Sequence, residues 1–317
     1  MSWRRFANWA KHKPFALRVA DRLGRSRGRL AVIDRLNPPP RPRLRLDFRT
    51  WDEYELAAAW VGHATVVLRI GGRTVLTDPV FSYRVGVGMG LMTAGPRRLV
   101  APATTLAELP PIDLILISHA HFDHLDRPTL ARLPKRTPIV TAAHTRDLLT
   151  DIGFRHVREV GWNDTIKVGD LSIRAIQPQH WGARTFHDQQ RTYNAYLLGH
   201  RAGRSILFGG DTAYTHAFDN VGPVDLAILG IGAYDPYVAA HATPEQAWAM
   251  AHRIPAQHLL PMHHSTFRLS YEPTSEPIER LLAAAGANAD RVVVREVGGL
   301  WGIRESDPRY AFPRYGA

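Results

Sequence analysis

The sequence predicts an α/β layered fold of two similar halves, each a sheet faced by helices, packed sheet to sheet in the order αβ/βα. Three observations predict it. Short apolar runs of strand length alternate with segments that carry helix start and stop signals. Two stretches of the first half recur in the second. "PIDLILIS" from Pro111 resembles "PVDLAILG" from Pro223, and "GGRTVLTDP" from Gly71 resembles "AGRSILFGGD" from Ala202. In both halves the hairpin-like stretch comes first and the Asp-Leu strand follows, so the order of elements repeats along with the residues.

The strands begin near Leu56. "HATVVLRIGGRTVLTDP" reads as two strands joined by Gly71-Gly72, a two-residue hairpin signal. Further strands are expected at "IDLILIS", "TPIVTA", "TIKVGDLSIRAIQ", "YNAYLLG", "RSILFGG", "VDLAILG", "HLLPM" and "RVVVREV". "TPEQAWAMAHRI" reads as a helix with Thr243 as N-cap, Pro244 at the first helical position and Gln246 closing a capping box. "SEPIERLLAAAG" reads as a second helix, starting at Ser275 and stopping at Gly286. "GVGMG", residues 86–90, matches no phosphate-cradling motif and is expected to be a flexible flap.

Composition sets the outer limits. With 45% apolar and 22% charged residues, the chain belongs with soluble globular proteins rather than disordered or fibrous ones. No run approaches the roughly 18 apolar residues of a membrane-crossing helix. The absence of cysteine excludes disulfides, iron–sulfur clusters, zinc ribbons and cysteine nucleophiles. The N-terminus has a basic start but no apolar core of about 7–15 residues, so no cleaved secretory signal is expected and the expected location is the cytoplasm.

The net charge of +11 is concentrated at one end. Residues 1–50 hold 14 Lys/Arg against 3 Asp, which leaves the remaining 267 residues neutral. Residues 1–46 are therefore read as a basic arm and connector, and 47–317 as one catalytic domain. Within the arm, residues 3–23 set Trp3, Phe6, Trp9, Phe15 and Leu17 among Arg and Lys, the pattern of a basic amphipathic helix broken near Pro14. "NPPPRPRLRL", residues 37–46, reads as an extended polyproline-like connector. Such an arm fits peripheral contact with anionic membrane, or with nucleic acid, and equally a solvated extension.

The chemistry concentrates in "LISHAHFDHLD", residues 116–126. In an extended segment alternate side chains share a face, so His119 and His121 can point the same way at the end of the apolar strand. A curl after Phe122 would turn Asp123 and His124 toward a neighbouring point, so one loop would serve two adjacent sites. Imidazole and carboxylate without thiolate suit Zn²⁺, and also Mn²⁺ or Fe. The remaining ligands must come from other strand ends. His180 in "IQPQHWG", Asp211 in "LFGGDTAY" and His263 in "LLPMHHSTF" each follow an apolar run. His63, in "WVGHATVVL", reads either as a pocket-lining residue or as a satisfied strand histidine. His12, His144, His156, His200, His252 and His258 are read as ordinary surface or packing residues.

The series His119, His121, Asp123, His124, His180, Asp211, His263 resembles the metallo-β-lactamase fold superfamily, with Asp78 in "LTDPVF" matching its first motif. "WVGHATVVL", "GPRR", "GGDTAY", "IGAYDP" and "HATPEQAW" make it similar to the branch of N-acylphosphatidylethanolamine-hydrolysing phospholipase D and the ascorbate-6-phosphate lactonase-like proteins. The resemblance covers roughly residues 56–285. It implies a four-layer metallo-β-lactamase-like sandwich and two metal ions, zinc first among them. His119, His121 and His180 would bind one ion, Asp123, His124 and His263 the other, and Asp211 would bridge. Asp123 would also orient a metal-bridging hydroxide, and Asp78 would support the metal loop from behind. His241 and Phe122 would contact substrate. Phe122 stands where relatives often carry Tyr, and His264-Ser265 where they carry Trp-Gly. The implied activity is phosphodiester hydrolysis of phospholipase D type on N-acyl phosphatidylethanolamine-like lipids. Lactone or other ester hydrolysis on a soluble substrate is the alternative, followed by a nuclease or a metal-binding scaffold. The neutral body argues against nucleic acid.

Overall fold

The structure, a computed structural model, describes residues 37–89 and 92–304. The amphipathic helix expected at 3–23 and Gly90 of the Gly-rich stretch lie outside the described residues. In chain order the elements are β1 (Tyr54–Gly62), β2 (Thr65–Ile70), β3 (Arg73–Thr77), β4 (Val87–Met89), β5 (Met92–Ala94) and β6 (Leu114–Ile117). There follow α1 (Arg127–Leu130), β7 (Ile139–Ala142), α2 (Arg146–Thr150), β8 (Val157–Val160), β9 (Thr165–Val168) and β10 (Leu171–Ile176). The last are β11 (Ala195–His200), β12 (Ser205–Phe208), β13 (Val224–Gly230), α3 (Pro244–Arg253), β14 (Ala256–Met262), α4 (Glu276–Ala285) and β15 (Leu300–Arg304).

Two mixed sheets carry the fold. One has the order β15-β1-β2-β3-β6-β7-β8 and the other β14-β13-β12-β11-β10-β9. Strands buried on both faces must be apolar throughout, which is why the sequence shows continuous runs rather than alternation. β13 makes the point. Leu226 and Ile228 belong to the core between the sheets, while Ala227 and Leu229 pack with Met250 of α3 and Leu281 of α4. The helices between the strands of the first sheet are short, four residues in α1 and five in α2, against ten each in α3 and α4.

The repeat is structural as well as textual. β3 pairs in parallel with β6 with Val75 opposite Leu114, and β12 with β13 with Ile206 opposite Leu226. One residue earlier, the Thr74 amide donates to Asp113 Oδ2 at 2.8 Å and the Ser205 amide to Asp225 Oδ2 at 2.8 Å. The preceding arginine pairs with the same aspartate in both halves, Arg73 with Asp113 at 3.5 Å and Arg204 with Asp225 at 3.1 Å. The first pair is about 40% exposed and the second under 10%. Asp225→Ala should therefore cost about 2 kcal/mol of stability, because it leaves the Ser205 amide without its acceptor and the buried Arg204 with Glu55 alone, and Asp113→Ala only about 1 kcal/mol. Urea unfolding of the two variants checks the order; equal losses would contradict it.

Local signals behave as their chemistry dictates, with exceptions. Gly71 and Gly72 form the hairpin turn at φ 53° and 79°, and a side chain on Gly71 would strike the His200 ring. Thr243 and Gln246 form the capping box. Ser275 stands at the start of α4 but makes no capping bond, its backbone being already helical; Gly286 ends the helix at φ 54°. "RVVVREV" is not a strand. Val292 makes one bridge to Leu259, and Val294 at φ 55° ends extension; the strand follows as β15, which returns to pair with β1. The Gly-rich stretch opens a small hairpin, with Val87 opposite Ala94. In the connector, the Leu46 side chain is buried and its amide donates to Ala103 O.

Candidate metal centre

The candidate residues converge at one edge of the two sheets, past the ends of β6, β10, β12 and β14, where ligands collect in α/β sheets. β6 delivers its loop as periodicity requires. His119 still pairs in extended form with Tyr193, and the chain then turns, with the His124 and Leu125 amides donating to His121 O. His119 and His121 thus share one face, while Asp123 and His124 are carried round to another.

The first group comprises His119, His121, His180 and Asp211. His119 Nε2 lies 2.8 Å from His121 Nδ1, and His180 Nε2 lies 3.3 Å from that same atom. Nitrogens about 2.0–2.1 Å from a tetrahedral ion stand roughly 3.4 Å apart, so this convergence has the dimensions of a ligand shell. The ring nitrogens turned away from it are held in place. His119 Nδ1 meets Ser118 Oγ at 2.9 Å, and His180 Nδ1 donates to Ala240 O at 3.0 Å. Burial drives the pKa of His119 and His180 well below the ordinary imidazole value and that of His121 to about 4. All three are neutral near pH 7, the form in which imidazole ligates.

The second group comprises His63, Asp123, His124 and His263. Asp123 Oδ2 lies 2.9 Å from His63 Nε2, 3.4 Å from His263 Nε2 and 3.7 Å from His124 Nε2. Behind it, the fully buried Asp78 accepts from His124 Nδ1 at 2.7 Å, from the Ser118 amide at 2.7 Å and from Ser118 Oγ at 2.6 Å. That bond keeps a proton on Nδ1, so that Nε2 is the nitrogen left to ligate once His124 is neutral. Asp78 thus stands behind the donor groups, where the sequence motif puts it.

Asp211 faces both groups. Its Oδ2 lies 3.1 Å from His124, 3.3 Å from His263, 3.7 Å from His180 and 3.9 Å from His119. Burial opposes charge on His263 and His124, but Asp211 and Asp123 raise His263 to about 9 and, with Asp78, hold His124 well above the usual imidazole range. Burial likewise opposes charge on Asp211 and Asp123, yet the surrounding imidazoles keep both ionised. The protons on His124 and His263 occupy the electrostatic role of a cation. His124 Nε2, His263 Nε2 and Asp211 Oδ1 are buried with no hydrogen-bond partner among the described residues. Buried polar groups are rarely left so. Metal ions fit this donor set.

All seven donors expected from the sequence are therefore in one cluster. His241 joins its margin, with Nδ1 3.9 Å from Asp211 Oδ2 and its ring 5.2 Å from that of His263. Phe122 is half-buried; it packs on Val80, Val85 and Phe267, with the Arg184 guanidinium 3.9 Å over its ring. His264 is buried against Trp60 at 4.8 Å and makes no part of either group. Sequence reasoning left His63 undecided and missed Arg184. Nη1 of Arg184 donates to Ala120 O and Leu125 O, each at 2.8 Å, bracketing the turn that holds His121, Asp123 and His124. Nothing in "HWGAR" marks that arginine, because its partners are backbone carbonyls about 60 residues away.

The geometry has counterparts in known proteins. The profile of the Beta-lactamase superfamily domain matches residues 73–264. An uncharacterized protein of Mycobacterium tuberculosis is 37% identical over 252 residues, which cover 74% of this chain but span only 65% of that relative's length. N-acyl-phosphatidylethanolamine-hydrolyzing phospholipase D 1 of Caenorhabditis elegans is 28% identical over 276 residues, covering 78% of this chain and 76% of the other. The crystal structure of isothiocyanate hydrolase from Delia radicum gut bacteria has the same fold, with a TM-score of 0.63 at 18% identity over 78% of this chain and 99% of that one. The matched profile runs from β3 to the far side of His263 and so takes in four strands of the first sheet, all of the second and all seven expected donors; the chain belongs to the beta-lactamase superfamily.

Proposed function

We propose that the chain is a metal-dependent hydrolase of phosphodiesters, acting with two divalent ions, zinc first among them, on N-acyl phosphatidylethanolamine-like lipids. The position of Asp211 Oδ2, within 3.9 Å of imidazoles from both groups, carries the two-ion reading. The likeness to the nematode phospholipase D supports the substrate class.

Bound there, divalent ions supply Lewis acidity toward ester oxygens and lower the pKa of water. The chain's own residues do the rest. Neutral His119, His121 and His180 offer lone pairs on one side; His124 and His263 do so on the other once their protons are displaced. Asp123 is the more solvent-accessible of the two carboxylates, its side chain 16% exposed against 2% for Asp211. It is placed to orient an attacking water and accept its proton. His241, ahead of the α3 N-cap and partly open to solvent, donates to a substrate phosphate oxygen, and the free edge of Phe122 meets the substrate's apolar part.

The basic arm would hold the chain on anionic lipid; no helix among the described residues is long and apolar enough to cross a membrane. Two results are expected. Dialysis against a chelator abolishes turnover, and readdition restores it at about two ions per chain by elemental analysis; a plateau at one ion sinks the two-ion reading. Full-length protein outpaces a chain beginning at Asn37 on N-acyl phosphatidylethanolamine in anionic vesicles, while the two match on a soluble phosphodiester. Turnover of lactones or soluble esters alone would replace the lipid with a small substrate.

A further inference from the structure

We propose that His63 is the positioning residue for Asp123, donating a hydrogen bond from Nε2 to Asp123 Oδ2 and so holding that carboxylate in the second donor group. The inference rests on the two-ion reading for what Asp123 does there.

The first observation is the bond itself, 2.9 Å between two side chains 60 residues apart in sequence. It falls on the carboxylate oxygen that also faces His263 and His124. The second is the backbone. Two residues, His63 and Ala64, join β1 to β2, and His63 sits at φ 57°, where glycine is at home and a histidine is strained. The other tight hairpin of this sheet uses Gly71-Gly72 for the same task. The strain at His63 is held from three sides. Its amide donates to Thr266 Oγ1 at 2.8 Å, and its carbonyl accepts from Trp60 Nε1 at 2.7 Å and from the His263 amide at 3.2 Å. Residues are kept in such conformations where the surroundings over-determine them, commonly at functional sites.

The third observation is what the second group would lack without His63. His119, His124 and His180 each have a ring nitrogen anchored by Ser118, Asp78 or Ala240. His263 has none, for its Nδ1 is buried without a partner among the described residues. The His63 ring lies 4.1 Å from that of His263, so one side chain braces two donors, Asp123 by hydrogen bond and His263 by contact. Asp123 sits on a turn with a side chain partly open to solvent, and without this bond only the longer contacts to His263 and His124, at 3.4 and 3.7 Å, hold it inward.

The test compares full-length wild type, His63→Ala, His63→Gln, Asp123→Ala and the double variant His63→Ala/Asp123→Ala. Zinc affinity is titrated in chelator buffers, and the cobalt(II) absorption spectrum is recorded. In His63→Ala one of the two ions should lose affinity about 10–100-fold, with the other ion and the thermal melt little changed. His63→Gln places an amide N–H near the lost Nε2 and should recover most of the affinity and the wild-type cobalt spectrum. The alanine effect should vanish in the Asp123→Ala background. Wild-type affinity in His63→Ala would overturn the proposal. So would a folded His63→Gln no better than the alanine variant, which would make His63 a ligand or a packing residue. Additive losses in the double variant would also overturn it. A wild type that binds one ion refutes the two-ion reading, and the coupling between His63 and Asp123 still decides this inference.

Discussion

Asp211→Asn is expected to lower kcat/KM by about a thousandfold or more and to weaken both ions together. The side chain is buried and its Oδ2 lies close to imidazoles of both donor groups, so this one carboxylate serves both. The amide keeps the volume but presents less charge to the ions. Metal assistance is worth several kcal/mol of transition-state charge stabilisation, and each 1.4 kcal/mol is about tenfold in rate. Without metal the variant should be less stable than wild type, since His124 and His263 lose the counter-charge that favours their protons. Elemental analysis and steady-state kinetics check it. Loss of one ion only, or activity within tenfold of wild type, would place the bridge elsewhere.

Asp78→Ala should act first on stability. It removes the acceptor of three hydrogen bonds in a fully buried position, leaving the Ser118 amide without its acceptor and His124 Nδ1 with only the longer contact to Ser118 Oγ at 3.4 Å. Breaking such a buried constellation costs about 3–5 kcal/mol, a large part of the roughly 5–15 kcal/mol a domain has. Asp78→Asn separates that structural cost from the chemistry. Its oxygen can keep the Ser118 amide, while its NH₂ group donates to His124 Nδ1. That forces the His124 proton onto Nε2, the nitrogen facing Asp211. The asparagine variant should therefore melt closer to wild type yet bind the second ion about 10–100-fold more weakly. An asparagine variant with full metal content would show that Asp78 does not set the tautomer.

Much of this was legible in the sequence because it depends on periods and strand ends. Alternation places His119 and His121 on one face, and a donor directly after each apolar run lands on the edge where parallel strands end. The textual repeat proved to be a repeat of register, down to the aspartates that take the Thr74 and Ser205 amides. What was not legible depends on contacts across the fold. The role of His63 is set by a left-handed turn and by a partner in another loop. Arg184 acts through carbonyls, which every residue has. "RVVVREV" has the composition of a strand, yet Val294 turns into the left-handed region and the paired segment is the less apolar one that follows. Composition reports which residues can extend; the position of the neighbouring strand decides which do.

The division of donors between the sheets has a mechanical consequence. His119, His121, Asp123 and His124 hang from the first sheet, and His180, Asp211 and His263 from the second, so neither sheet holds a full shell. Each ion would be a cross-link between sheets in a chain that has no cysteine to make one. Ligands that bind only the folded form deepen its stability in proportion to the logarithm of their concentration over Kd. Zinc supply would then govern the protein's lifetime as well as its turnover: a metal-starved cell would hold a chain that opens along the seam between its sheets and meets proteases there first.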